Sequence, residues 1–228
     1  MLANIFKKPE ILDKKKHKDL KLSSYKNYEF TKDVYLSPIG FEEMLVATKS
    51  LIIVFIKDQN GDIFPSVVLG GEEGGNLLLD SDNAWRKFFY IPAALRCYPF
   101  GVGSDTVNNY ITIDTQAELL QDKTGNLIVK DEESLTKEGE SSVSFVTTVY
   151  NNINNTKEFT KFLDTVGILK QAEIAIQIKD TKHQLKSGVY IIDENALNKL
   201  ESRKLKKLAT SGYMKFIYAH LLSLKNSY

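Results

Sequence analysis

The residues of this chain best suited to chemistry are an arginine set among aromatic rings. Trp85, Tyr90, Arg96 and Tyr98 all fall in the segment WRKFFYIPAALRCYPF, from Trp85 to Phe100. A guanidinium presents a planar fork of donors to a carboxylate and stacks on aromatic faces. These four residues therefore suit a pocket for an anionic or peptide-carboxylate ligand. The loop before them, Gly70-Gly-Glu-Glu-Gly-Gly75, adds Glu72 and Glu73, and Asn76 is a further polar candidate. The opposing reading makes the aromatics the hub of the core and Arg96 a structural ion-pair partner. Arginine is seldom buried without a pair, and the nearest carboxylates in sequence are Asp80, Asp82, Glu72 and Glu73. The density of aromatics favours this structural reading.

Other chemistries find little support. Asp58-Gln-Asn60-Gly-Asp62 spaces oxygens like a calcium loop, but Ile63 and Leu69 stand where glycine and a bidentate glutamate belong. The glycine-rich loop lacks the Lys-Ser/Thr pair of a P-loop, and its glutamates repel phosphate. Glu72 and Glu73, adjacent in an extended segment, point to opposite faces and make a poor acid–base pair. His17, His183 and His220 are too scattered for a metal motif; His17 falls in a lysine-rich stretch, His183 in a polar turn. His220 lies on an apolar helical face and reads as a hydrogen-bonded core histidine. Cys97 is the only cysteine, which excludes an intrachain disulfide. Its neighbour Arg96 is a means of lowering its pKa, against the plainer reading of a half-buried thiol. No metal and no cofactor is expected.

Charge is nearly balanced overall, at +1, which argues against a dedicated nucleic-acid binder. It is unevenly spread. Residues 1–26 carry eight lysines against Glu10, Asp13 and Asp19, while residues 114–142 carry eight carboxylates against three lysines. The first stretch lacks an apolar period, so residues 1–27 are expected to form a basic, partly mobile arm ahead of a single domain at 28–228. Lys14, Lys15 and Lys16 would be its contact points with an acidic partner or membrane surface. The longest apolar run, Leu51 to Ile56, is far below the ~20 residues of a membrane span. With no apolar run after Phe6 to suggest a signal peptide, a soluble, cytoplasmic protein is expected.

The elements that must position these residues follow from pattern. Ser50–Ile56 and Phe64–Leu69 flank Asn60-Gly61 and predict a β-hairpin, with Asn76–Asp80 as a third strand. Asp82 or Asn83 is placed to cap a short helix from Ala84, and Pro92 to open a second that Pro99 ends. Tyr110–Ile113 reads as a strand, Asp122–Gly125 as a turn and Asn126–Val129 as a strand. From about Ser142 an apolar stripe of helical period (Val146, Val149, Ile153, Phe159, Leu163) runs to Gly167. The asparagines at 151–155 predict a weak point or kink in that helix. Ile174–Lys179 and Gly188–Ile192 suggest a second hairpin, Asp193 caps a helix to Leu200, and a basic turn precedes a last helix bearing Tyr213, Phe216, Ile217 and His220. The class is α+β: an N-terminal antiparallel sheet with short aromatic-rich helices, then C-terminal helices plus a β-hairpin.

Two separated runs resemble the SapC family of bacterial proteins. The first is Phe64-Pro65 through Leu69-Gly-Gly-Glu-Glu-Gly-Gly-Asn-Leu77, then Trp85, then Tyr90-Ile-Pro-Ala-Ala-Leu-Arg-Cys-Tyr-Pro-Phe100. The second is Gly188-Val-Tyr-Ile-Ile-Asp193, then Ser211 to Leu224. The chain departs from the family at Cys97, where a second arginine is common, and in its Gly-Gly-Glu-Glu loop. The resemblance implies a link to bacterial surface-layer biogenesis or secretion. Together with the absence of a nucleophile, metal or cofactor motif, it leads to the expectation of a non-catalytic accessory protein that binds a surface-layer or secretion component. The alternative is a small-molecule-binding or enzymatic protein using the aromatic–arginine pocket for a small anionic ligand.

Overall fold

The computed structural model describes residues 3–120, 124–178, 181–185 and 188–226. In chain order its strands begin with β1 (Pro9–Ile11), β2 (Lys21–Leu22), β3 (Leu36–Pro38), β4 (Ile53–Lys57), β5 (Ile63–Val68) and β6 (Phe100–Ser104). They continue with β7 (Asn109–Asp114), β8 (Asn126–Leu127), β9 (Leu169–Gln171), β10 (Ile174–Ile178), β11 (Thr181–Leu185) and β12 (Val189–Ile192). The helices are α1 (Phe41–Ala47), α2 (Ala93–Arg96), α3 (Lys137–Thr165), α4 (Glu194–Asn198), α5 (Ser202–Thr210) and α6 (Met214–Ser223). The class is α+β, as expected.

β4 and β5 form the hairpin that Asn60-Gly61 predicts, antiparallel with Lys57 opposite Ile63. Gly61 supplies the left-handed φ of +86° that the turn needs. The hairpin sits inside a five-stranded sheet of order β3-β5-β4-β12-β9. Side chains alternate across it. Ile53, Phe55 and Val67 join the main core with Phe159 of α3 and Ile217 of α6. Ile52, Val54 and Val68 face the other way and pack on Ile176 and Leu185. Both faces are dry, which is why β5 is buried at every position.

A second sheet, β1-β7-β6, and the pair β2-β8 complete the layer on the N-terminal side. The lysine-rich segment is thus no free arm. Its backbone pairs as strands, with Pro9 opposite Asp114 and Lys21 opposite Leu127. The buried Asp114 carboxylate accepts hydrogen bonds from the Lys7 and Lys8 amides (both 2.8 Å) and from Tyr98 Oη (2.9 Å). Ile5 and His17 are buried. The lysine side chains stay in water while the backbone between them builds structure.

Three further expectations are corrected. Asn76–Asp80 is not a strand: Asn76 N donates to Lys32 O and only Leu79 makes a lone bridge, to Trp85. No helix begins at Ala84. Positive φ at Asn83 (58°) and Phe88 (73°) turns the chain out of a helical path, and Asp80 Oδ1 accepts from the amides of Asp82 and Ala84. The second helix, α2, is present, though it is one turn long. Finally, β12 does not pair with β10. It lies between β4 and β9, while β10 pairs with the polar β11, so His183 lies in a strand rather than a turn.

α3 begins earlier than the apolar stripe suggests, because Thr136 caps it by accepting from Gly139 N at 3.1 Å. It runs unbroken through the asparagines, its buried Phe159 and Leu163 outweighing their weak propensity. Gly167, at φ +74°, ends it. Asp193 caps α4 as expected, whereas the basic stretch from Ser202 is the helix α5. The predicted Asp122–Gly125 turn lies partly outside the described residues. Among those residues no helix is long and apolar enough to cross a membrane.

Candidate functional site

The aromatic segment divides into two assemblies rather than one pocket. The first is a run of rings shared with residues 25–30. Trp85 packs edge-on to Tyr28 (5.5 Å), Tyr28 stacks on Tyr25 (5.3 Å), Tyr25 on Phe30 (5.7 Å), and Phe30 on Tyr98 (4.4 Å). Tyr25 Oη donates to the carbonyls of Arg96 and Tyr98, closing the end of α2. Burial, followed by the hydrogen bond to Asp114, raises the Tyr98 pKa, so its hydroxyl stays a donor. Trp85 Nε1 is buried with no hydrogen-bond partner among the described residues. Tyr98 is buried in the core, and Trp85, Tyr25 and Phe30 are half-buried against it.

The second assembly contains Arg96 and does not follow that reading. Arg96 is exposed, and among the described residues no carboxylate lies within ion-pair distance of it. Asp80, Asp82, Glu72 and Glu73 are all elsewhere. Its guanidinium donates to Tyr90 Oη at 3.2 Å and lies 5.8 Å from the Tyr90 ring centroid and 5.4 Å from that of Phe145 on α3. Two ring contacts and one hydrogen bond hold it in place. The carboxylate nearest in this network is Glu43 of α1, which the sequence reading missed. Glu43 accepts from Tyr90 Oη (3.1 Å), Ala93 N (2.7 Å) and Gly40 N (3.2 Å). Burial raises its pKa against these bonds. Glutamate three residues after Gly40 marks a helix start, but nothing in sequence brings it to Tyr90.

A groove of about 550 Å³ opens between the β1-β7-β6 sheet and α3, lined by Ala94 and Cys97 but not by Arg96 itself. Its walls include Ile11, Phe100, Val102, Val146, Val149 and Ile153, with Ala94 from α2 and Cys97 directly after it. Gly101 and Gly103 leave no side chain on that face of β6, and the rings of Phe6 and Tyr110 occupy the space a Cβ would need. The Cys97 thiol is pushed up to about 12, first by burial and then by Glu43, with Arg96 only partly offsetting them. It stays a neutral thiol and is not the activated cysteine that its neighbour Arg96 suggested.

The remaining candidates do not converge on this groove. Asn76 is buried and structural: its amide donates to Thr31 Oγ1 (2.9 Å) and its carbonyl accepts from Leu78 N (3.0 Å). Glu72 and Glu73 are exposed on the glycine loop. Gly71 and Gly74 of that loop lie against His183, where a Cβ would come within 2.6 Å and 2.4 Å of its side chain. Their role is close packing on β11, not a phosphate cradle. Lys14 Nζ donates to Glu133 O (2.6 Å), Lys15 pairs with Glu132 (3.4 Å) and Lys16 with Glu10. The basic and acidic stretches therefore meet each other within the chain.

A family model described as SapC matches residues 12–228. No curated protein and no solved structure matches the chain.

Proposed function

The chain belongs to the SapC family, and we propose that it is a cytoplasmic accessory protein of bacterial surface-layer biogenesis or secretion that works by binding another protein. The observation that carries this is the apolar groove lined by Ala94 and Cys97, which flank Arg96 in sequence. Its volume of about 550 Å³ lies in the range of ligand sites, ~300–1,000 Å³, which are mostly apolar with a few placed polar groups. The polar groups within reach suit recognition more than turnover. Cys97 is held as a thiol, and Glu43 is tied to two backbone amides and Tyr90.

A smaller amphipathic anion is the second reading, favoured by the exposed, ring-held Arg96. Affinity capture from a host that builds a surface layer separates the two. The protein-binding reading expects a surface-layer or secretion component in a ratio unaffected by nucleotide. Stoichiometric flavin, nucleotide or metal in native mass spectrometry would replace it with the small-molecule reading.

A further inference from the structure

Phe100, Gly101, Val102 and Gly103 are consecutive, yet all four line the groove. Successive side chains of a strand point to opposite faces, so a cavity touched by four in a row follows the strand's edge as well as its face. β6 is an edge strand, in the order β1-β7-β6. The ladder shows which backbone groups that edge leaves open. Leu12 N donates to Ile111 O (2.9 Å) and Thr115 N to Lys8 O (3.1 Å), which turns Ile111 and its alternate neighbours toward β1. Asp114 N donates to Pro99 O (2.9 Å), so Thr112 and Tyr110 face their partners Gly101 and Gly103. The N–H and C=O of Val102 therefore point away from β7, where an added strand would pair.

Arg96 stands just before the start of β6. A strand added antiparallel to β6 ends where β6 begins, which brings its C-terminus to the α2 side. There the guanidinium is held by Tyr90 and Phe145, with one donor committed to Tyr90 Oη. An arginine has five donors in a fork that matches a carboxylate. Val149 and Ile153 on α3 offer an apolar wall along the same path.

We propose that the groove takes the extended C-terminal segment of a protein partner. The segment pairs antiparallel with the β6 edge, seats alternate apolar side chains in the groove, and places its terminal carboxylate on Arg96. Main-chain pairing supplies affinity, while side-chain pockets and carboxylate capture supply specificity. The proposal rests on the binding-protein reading and narrows it to one partner chemistry.

The test is selection by the full chain from displayed heptapeptides with free C-termini, followed by affinities of the enriched peptides. Sequences apolar at alternate positions are expected. Amidating their C-terminus, or changing Arg96→Gln, should weaken binding roughly tenfold or more, the loss of one charge-assisted pair. Methylating alternate peptide amides should abolish binding without touching the protein. Circular dichroism checks that Arg96→Gln keeps the fold. Failure to enrich any free-C-terminal peptide, or binding indifferent to both amidation and Arg96→Gln, overturns the proposal. So does Arg96-dependent binding of dodecanoate without peptide binding, which would assign the groove to a lipid-like acid. If host capture still recovers a protein partner whose binding ignores Arg96→Gln, the binding-protein reading stands and only this mode fails.

Discussion

His220 has both ring nitrogens committed to backbone: Nδ1 lies 2.9 Å from Ile53 O, and Nε2 accepts from Ile192 N at 3.1 Å. An Nε2 that accepts leaves the proton on Nδ1, so the ring is neutral in the fold. Burial lowers its pKa to about 4 from 6.5, against the opposing bond to Ile53. Below 6.5 the unfolded chain binds the proton more readily than the folded one. Stability from this group is therefore complete above that pH and is lost as pH falls toward about 4. The gap is worth on the order of 3 kcal/mol. Glutamine keeps a donor and an acceptor but does not titrate. Denaturant midpoints of wild type and His220→Gln should diverge across this window, the wild type falling more steeply. Parallel curves would show that His220 is not the buried neutral group described. Its place on the apolar face of α6 made this core role legible, whereas Arg96 was misread because its real partners, Tyr90 and Phe145, are invisible to a search for nearby carboxylates.

At the scale of elements, the β4-β5 hairpin held, whereas the strand at 76–80 and the helix at Ala84 did not form and β12 paired with β4 and β9 instead of β10. Gly61 and Gly167 act through their own backbone and Asp193 through its carboxylate, which accepts from the Asn195 and Ala196 amides, and all three stand where the sequence puts them. β11 was missed because a strand of Thr, Lys, His, Gln and Leu has the composition of a turn. The N-terminal segment was missed for the same reason: its contribution is backbone pairing, which the lysine side chains do not reveal. A consequence follows for truncation. Removing residues 1–12 deletes β1 and leaves the Asp114 carboxylate without the two amides of Lys7 and Lys8. Each bond to a charged group is worth about 1.5–3 kcal/mol, so the loss is about 4 kcal/mol. For a chain this long that lowers the thermal midpoint by roughly 10 °C. Differential scanning fluorimetry of the truncated chain checks it; a midpoint within a few degrees of wild type would restore the free-arm reading.

For the molecule as a whole, the α+β class and the family motifs were legible, while the groove was not. Its walls come from Phe6 and from β1, β3, β6, β7, α2 and α3, and no single run of sequence carries more than part of it. Phe100-Gly-Val-Gly-Ser104 gave no strand signal, because glycine weakens strand propensity. Yet those glycines admit Phe6 and Tyr110 and shape the groove's floor. The same interleaving governs how the chain unfolds. One continuous core holds Ile5 from the N-terminal segment, Phe100 and Ile113 from the smaller sheet, Val67 from the larger sheet, Phe159 from α3 and Ile217 from α6. Neither sheet can lose its packing without exposing apolar surface of the other, and each fully buried Phe or Ile contributes about 1.5–3 kcal/mol. The two sheets should therefore melt together. Scanning calorimetry should show a single transition whose calorimetric and van't Hoff enthalpies agree. Two resolved transitions, or a van't Hoff enthalpy well below the calorimetric one, would mean that the β1-β7-β6 sheet is not held by the shared core. The groove's two walls would then be free to part.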